Sequence, residues 1–273
     1  METFEGRTAV VTGAASGMGR AFAERFGALG MNVVLADVEE PRLVEVAGHM
    51  RESGSNVLPV VTDVASGESI DALAAKAFDA FGNVHVLCNN AGVGGGGPMS
   101  ELTINDWQWV LGVNLWGVIH GIRAFLPMML ESGEEGHIVN TASMAGMISG
   151  PMMGPYNATK FAVVAVTETL QAELGMTDGK IGASVLCPGF VNTDITTSGR
   201  NRPETLKGRD FTPEPEQAAA FKSLLEGGKQ PHEVALMVED AIRNRRPYIF
   251  TDRQFLPLFQ DRVQRIVDCF PAE

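Results

Sequence analysis

Residues 8–19 read Thr8-Ala-Val-Val-Thr12-Gly13-Ala14-Ala15-Ser16-Gly17-Met18-Gly19, and this stretch decides the fold. Thr8–Thr12 is a short apolar, β-branched run, which predicts a buried strand. The glycines follow at once, and apolar Ala21, Phe22, Phe26 and Leu29 then trace a helical pattern. Strand, glycine-rich turn and helix in that order make a place where a phosphate can be held. Gly13 permits a tight turn, Gly17 lets backbone N–H groups approach a pyrophosphate, and Gly19 lets the helix pack closely on the strand. Ser16 and Met18 complete the loop, and the helix N-terminus behind them favours an anion. The spacing is G-x-x-x-G-x-G, not G-x-G-x-x-G, so the general fingerprint applies by mechanism only. A glycine turn with no ligand is the competing reading.

A second apolar run, Asn32–Ala36, ends at Asp37, eighteen residues past Gly19. An acid about twenty residues beyond such a loop can bind the ribose hydroxyls and repel a 2′-phosphate. Val38, Glu39 and Glu40 follow, with no arginine or lysine adjoining, so NAD is favoured over NADP. Because Pro41 soon opens a helical stretch, Asp37 could also serve as a helix N-cap.

Further strand-like runs stand at 57–61, 84–88, 137–141, 181–187 and 247–250, separated by amphipathic stretches. With the first two they predict an α/β protein, a parallel seven-stranded sheet with helices on both faces, in one domain over 1–273. The stretch 193–230 is irregular, with a mixed helical pattern over Glu214–Leu225, and reads as a substrate-loop insertion or lid. The net charge of −12, spread along the chain, argues against a nucleic-acid or anionic-membrane partner. No signal-peptide order and no apolar run of about eighteen residues is present, so no membrane span is expected. Cys88, Cys187 and Cys269 lie in apolar surroundings and are expected as buried thiols in a reducing cytoplasm. His49, His85, His120, His137 and His232 are scattered, with no metal-ligand spacing.

Tyr156 and Lys160 stand four residues apart, with Ser143 thirteen residues upstream of the tyrosine. On a helix that spacing places both side chains on one face. A phenol of reference pKa about 10 is a poor base, and a neighbouring ammonium is expected to pull its pKa down. Ser143 could then hold a substrate oxygen against the phenol while a proton moves. The kit suits oxidation of an alcohol or reduction of a ketone, although Tyr-x-x-x-Lys also occurs on solvated helix faces.

Glycine loop, acid and Tyr-x-x-x-Lys together resemble the short-chain dehydrogenase/reductase family, from about residue 4 to 250. Asn89-Asn90-Ala91-Gly92 matches its Asn-Asn-Ala-Gly segment, which braces the sheet beside the cofactor, and Asp63-Val64 matches the pair that closes over the adenine. Asn114 falls where the family keeps an asparagine that shapes a proton-relay water. Pro188-Gly189-Phe190-Val191-Asn192-Thr193 is similar to its Pro-Gly segment, whose threonine touches the nicotinamide carboxamide. The resemblance implies a doubly wound Rossmann fold and a tetrad of Asn114, Ser143, Tyr156 and Lys160. In it, Lys160 binds nicotinamide-ribose hydroxyls, Ser143 orients the substrate oxygen and Tyr156 exchanges the proton. On the residues alone, Asn114 could be a helix-interior amide, Ser143 a strand-end turn residue and Thr193 a helix cap.

Four methionines (Met144, Met147, Met152, Met153) and Ile148 lie between Ser143 and Tyr156. They suggest a soft apolar pocket wall, to which Phe190 would add, or else plain core filling. A bulky apolar secondary alcohol or its ketone (aryl, terpenoid or steroid-like) is therefore expected. The layout from Trp107 to Phe161 is similar to that of bacterial family members acting on lignin-derived aryl alcohols. An NADPH-dependent ketoreductase and a non-catalytic dinucleotide sensor are the alternatives. The resemblance also implies a dimer or tetramer pairing helices near 103–131 and 156–174, the latter offering Phe161, Val164, Ala165, Thr169, Leu170 and Ala172. The apolar C-terminal stretch from Phe255 to Phe270 could cover a pocket or a neighbouring subunit.

Overall fold

The computed structural model describes residues 1, 3–208 and 215–271, so Glu214 and the middle of the 193–230 stretch lie outside the described residues. Seven strands form one sheet in the order β3-β2-β1-β4-β5-β6-β7, and every neighbouring pair is parallel. They are β1 (Thr8–Thr12), β2 (Asn32–Asp37), β3 (Val57–Val61), β4 (Val86–Asn89), β5 (Gly136–Thr141), β6 (Ile181–Cys187) and β7 (Tyr248–Phe250). Strand β1 is buried at all five positions. Its alternating side chains serve two cores, as a sheet covered on both faces requires. Ala9 and Val11 join Phe22, Phe26, Val234 and Val238 on one face, while Val10 joins Ile70, Leu73, Phe125 and Met129 on the other.

Two strand boundaries differ from the sequence reading for local reasons. Strand β4 begins at Val86 and not at 84, because the Asn83 side chain accepts the Val84 N–H at 2.8 Å. Strand β7 begins after Pro247, which has no N–H but whose carbonyl accepts from Val185 at 2.9 Å.

The crossovers are α1 (Gly17–Ala28), α2 (Glu40–Glu52), α3 (Gly67–Phe81), α4 (Ile104–Leu111), α5 (Gly117–Ser132), α6 (Gly154–Leu174), α7 (Pro215–Glu226) and α8 (Pro231–Asn244), and α9 (Leu256–Val267) follows β7. The helix expected near 103–131 is two helices joined by a π turn, Gly112–Trp116. A capping box fixes its start, with Asp106 N donating to Thr103 and Thr103 N donating back to Asp106 Oδ2 at 2.7 Å. Contrary to the sequence reading, Ile104–Ser132 is long and apolar enough to cross a bilayer by length and composition. Its Val118, Phe125 and Met129 are nonetheless spent on the cores beside the sheet. On α6, Val164 and Leu170 are also core residues, so they are not part of an outward surface as expected. Cys88 and Cys187 are buried as expected, whereas Cys269 is exposed because α9 lies on the outside with no buried residue.

The chain runs from β1 outward to β3, then returns to β4 on the other side of β1. A crevice opens outside the C-terminal ends of strands at such a reversal. The candidate site residues collect there.

Candidate active site

Gly13 and Gly17 both have positive φ, +68° and +54°, a conformation that glycine adopts without strain. Packing restricts the loop further. A Cβ on Gly19 would collide with Gly13 O and sit 2.6 Å from Asn90 Nδ2, and one on Gly17 would sit 3.1 Å from Thr193 Cγ2. Ser16 is the N-cap of α1 and makes no side-chain capping bond, so its hydroxyl does not close the helix end. The loop is anchored from Asp37, whose Oδ2 accepts from Ala15 N at 3.0 Å while Oδ1 accepts from Glu39 N at 3.0 Å. Asp37 is thus not the cap of α2, a position held by Glu39. Each carboxylate oxygen of Asp37 retains a second acceptor direction.

Thr12 holds the next wall. Its Oγ1 accepts from Asn90 N at 2.9 Å and Ala91 N at 3.1 Å, and Asn90 Nδ2 donates to Thr12 O at 3.0 Å. Behind them a buried amide chain crosses the sheet, Asn89 to Asn140 at 2.9 Å and Asn140 to Thr167 at 3.1 Å. In the π turn, Asn114 accepts from Val93 N at 2.8 Å and donates to Val93 O at 3.0 Å. A single π turn inside an α-helix is a recurrent feature of functional sites. Gly92 lies between Asn114 and Lys160, since a Cβ there would stand 3.4 Å from Asn114 Oδ1 and 3.7 Å from Lys160 Nζ. At the other rim, Asp63 turns the chain by accepting from Ala65 N at 2.9 Å, and Val64 packs on Gly117.

Ser143 caps the single turn Met144–Gly146, accepting from Ala145 N at 3.1 Å. Its hydroxyl also acts on the Tyr156 phenol, favouring the ionised form. Lys160 Nζ lies 5.5 Å from the Tyr156 ring centroid and donates to Thr141 O at 2.9 Å. The electrostatics run against the sequence expectation. Burial pushes the Tyr156 phenol above its ordinary value, and the opposing influence is the Ser143 hydroxyl, not the Lys160 charge. Burial likewise lowers Lys160 to about 8. Both shifts favour the neutral forms, as desolvation does for either sign of charge.

After β6, Pro188 O accepts from Met144 N at 2.9 Å, and Gly189 N donates to Thr251 Oγ1 at 2.9 Å. Val191 enters the core, and Thr193 reaches the glycine loop as the N-cap of a 3₁₀ strap, Asp194–Asn201, without a capping bond. Phe190 meets Phe221 edge-on at 6.2 Å and Phe255 at 5.6 Å. Met144, expected in the pocket wall, is buried and packs with Met147, Val163 and Val185. Met152 remains 42 % exposed, and Met153 is half-buried at the start of α6.

The strap supplies what sequence reading missed. Ser198 Oγ accepts from Gly94 N at 3.0 Å, Arg202 pairs with Asp106 at 2.8 Å, and Arg200 pairs with Glu39 at 2.5 Å. Arg42 also stands 3.3 Å from Glu39. Asp37 therefore has arginines near it, which no adjacent residue announced. Thr12, Asn140, Thr141 and Thr159 were missed as well. Each lies in an ordinary strand or helix, and only its partner makes it part of the site.

The close-packed glycines, the open N-terminus of α1 and the Asp37 carboxylate fit a dinucleotide: backbone donors for the pyrophosphate and an acid for a ribose. Among the described residues, no His, Cys, Asp and Glu group could hold a metal ion.

Comparison with known proteins gives the same picture. The short chain dehydrogenase family model matches residues 7–204. A Burkholderia phymatum short chain dehydrogenase/reductase, solved in complex with NAD, superposes with a TM-score of 0.93 at 47 % identity, covering 100 % of this chain and 99 % of that one. The CLA biosynthesis dehydrogenase/reductase of Lactiplantibacillus plantarum is 34 % identical over 98 % of this chain and 95 % of its own. The C alpha-dehydrogenase of Sphingobium sp. strain SYK-6 is 30 % identical over 98 % and 88 %. Likeness along nearly the full length, on an oxidoreductase fold with its dinucleotide crevice, makes this chain a member of the short-chain dehydrogenase/reductase family.

Proposed function

We propose that the protein is an NAD-dependent alcohol dehydrogenase that interconverts a bulky apolar secondary alcohol and its ketone. The observation that carries this is Lys160 Nζ placed 5.5 Å from the Tyr156 ring, with the Ser143 hydroxyl acting on the same phenol, beside the glycine loop. The nicotinamide supplies hydride acceptance or donation when bound. The Gly13–Gly19 loop would hold its pyrophosphate and Asp37 the adenosine ribose, while Asp63 and Val64 flank the adenine. Asn90, Ala91 and Gly92 would line the far wall, and Pro188, Gly189, Val191 and Thr193 the nicotinamide end.

Ser143 holds the substrate oxygen against the phenol, and Tyr156 accepts its proton during oxidation or returns one during reduction. Lys160 binds ribose hydroxyls and so fixes the nicotinamide beside the phenol. Asn114, fixed on the Val93 backbone, holds open a polar route behind Lys160. The Phe190–Phe221–Phe255 cluster, Met153 and exposed Met99 and Met152 favour an apolar substrate. The NAD-bound relative supports the cofactor choice, and the C alpha-dehydrogenase is consistent with alcohol chemistry. We place the enzyme in the cytoplasm as a one-domain subunit of a dimer or tetramer, with exposed Ile104, Trp116, Met128 and Leu130 on its interface helices.

The test is a panel of aryl, terpenoid, steroid and sugar alcohols with NAD, following formation of reduced nicotinamide. Tyr156→Phe should lower turnover by about 10²–10⁴-fold and retain NAD binding. Activity on sugars alone would refute the substrate class, and undiminished turnover in the variant would refute the role of Tyr156. A second reading, an NADPH-dependent ketoreductase, draws on Arg200 and Arg42 beside the ribose acid, and tighter binding of NADPH than NADH would establish it.

A further inference from the structure

The strap brings positive charge to a corner that the local sequence leaves acidic. Glu39 lies two residues past Asp37 and is bonded to it through its own N–H at 3.0 Å. The Glu39 carboxylate meets Arg200 fork to fork, with Nη2 on Oε1 at 2.5 Å and Nε on Oε2 at 3.3 Å. Asn201 Nδ2 adds a bond to Oε1 at 2.8 Å. Burial alone would raise the Glu39 carboxyl, but the hydrogen bonds from Arg200 and Asn201 outweigh it and hold the group below its ordinary value. Asp37 and Asp194 also act on the Arg200 charge. The guanidinium is fixed independently of Glu39, since its Nη1 donates to Thr197 O at 3.0 Å and Thr197 Oγ1 at 2.9 Å.

We propose that Glu39 is a specificity-determining residue that keeps Arg200 occupied, so that the Arg200–Glu39 pair, together with Asp37, selects against a dinucleotide carrying a 2′-phosphate. This rests on the assignment of Asp37 to the adenosine ribose. A guanidinium fork fits a phosphate as well as a carboxylate, and an arginine near the ribose acid is the arrangement that accepts a 2′-phosphate. With Glu39 present, the fork is engaged and two carboxylates face the phosphate. Neutralising Glu39 removes one of those charges and releases a guanidinium that Thr197 already aims. Arg42, held by Asp194 at 3.1 Å, stands next to it and adds to the positive field. The residue that discriminates is thus an acid acting through an arginine 161 positions away in sequence.

The experiment is calorimetric titration of the full-length wild type, Glu39→Gln, Arg200→Gln and the double variant with NAD and with NADP. The ratio of the NADP to the NAD dissociation constant should fall by about tenfold or more in Glu39→Gln, and the fall should vanish in the double variant. Glu39→Ser removes the same charge with a shorter side chain and should show the same fall. An equal gain with Arg200 absent, or no gain in either single Glu39 variant, overturns the proposal while leaving NAD as the cofactor. A wild type that binds NADP more tightly than NAD overturns the Asp37 assignment and the proposal with it, and is seen before any substitution is compared.

Discussion

Replacing Lys160 by Met tests the buried ammonium directly, because methionine keeps an unbranched stem and removes only the charged end. In the folded protein the Lys160 pKa falls from 10.5 to about 8 under the influence of burial. At neutral pH that displacement means the fold bears a cost of about 3 kcal/mol for holding the charge, relative to the unfolded chain. The lost hydrogen bond to Thr141 O, 2.9 Å long in the wild type, offsets about 1.5–3 kcal/mol of this. The two proteins should therefore be nearly equally stable at neutral pH while turnover collapses in the variant. The diagnostic quantity is the slope. Between the folded and unfolded values the unfolded chain binds more protons, so wild-type stability gains from this group as pH rises. The contribution is complete above the unfolded pKa and lost as pH falls through the folded one. Urea denaturation of both proteins from about pH 7 to about pH 10 should show wild type gaining roughly 2–3 kcal/mol on Lys160→Met. Parallel curves would refute the reasoning, since they would mean that the ammonium is as well solvated in the fold as outside it.

Thr12→Val leaves the part-buried N–H groups of Asn90 and Ala91 without their acceptor and should cost about 1–3 kcal/mol, whereas Thr12→Ser should recover most of it; denaturant melts of the three proteins check this. Gly19→Ala drives a Cβ into Gly13 O and should abolish dinucleotide binding by calorimetry, with far-UV circular dichroism unchanged. Arg202→Met breaks a pair whose side chains are only 13 % and 9 % exposed and removes the guanidinium 5.1 Å from the Trp109 ring. It should speed limited proteolysis between 194 and 208 about tenfold or more, an outcome read by mass spectrometry.

Most of the sheet was legible because parallel strands buried on both faces are written as continuous β-branched runs. The edges that shifted did so through single groups: the Asn83 side chain that takes the Val84 N–H, and the missing N–H of Pro247. Local sequence carries neither effect strongly. The glycine loop was legible for the same reason the strands were, since its demands (positive φ and close approach) exclude other residues. Thr12 was not. A threonine in a β-branched run reads as a strand former, and its role as the acceptor for two N–H groups is set by residues 78 and 79 positions away. The strap was opaque in another way. Arg200 and Arg202 read as surface charge in an irregular stretch. The backbone instead sends one to Glu39 beside β2 and the other to Asp106 on α4, partners that only the fold brings within reach.

Tyr156 and Lys160 show where reading residues stops being reading chemistry. Spacing placed both side chains on one turn of α6, and the structure has Lys160 Nζ over the phenol ring. The inference that proximity to an ammonium lowers the phenol assumed a medium in which the charge attraction exceeds the cost of burying the phenolate. Burial reverses the balance here, and it acts on both partners at once, raising the acid and lowering the base. The group that counters burial at Tyr156 is Ser143, whose hydroxyl acts on the phenol while its oxygen is fixed by Ala145 N. The serine therefore tunes the acid, and in the proposed mechanism it also orients the substrate. A variant lacking its hydroxyl would lose both effects together, while one lacking the ammonium keeps the first.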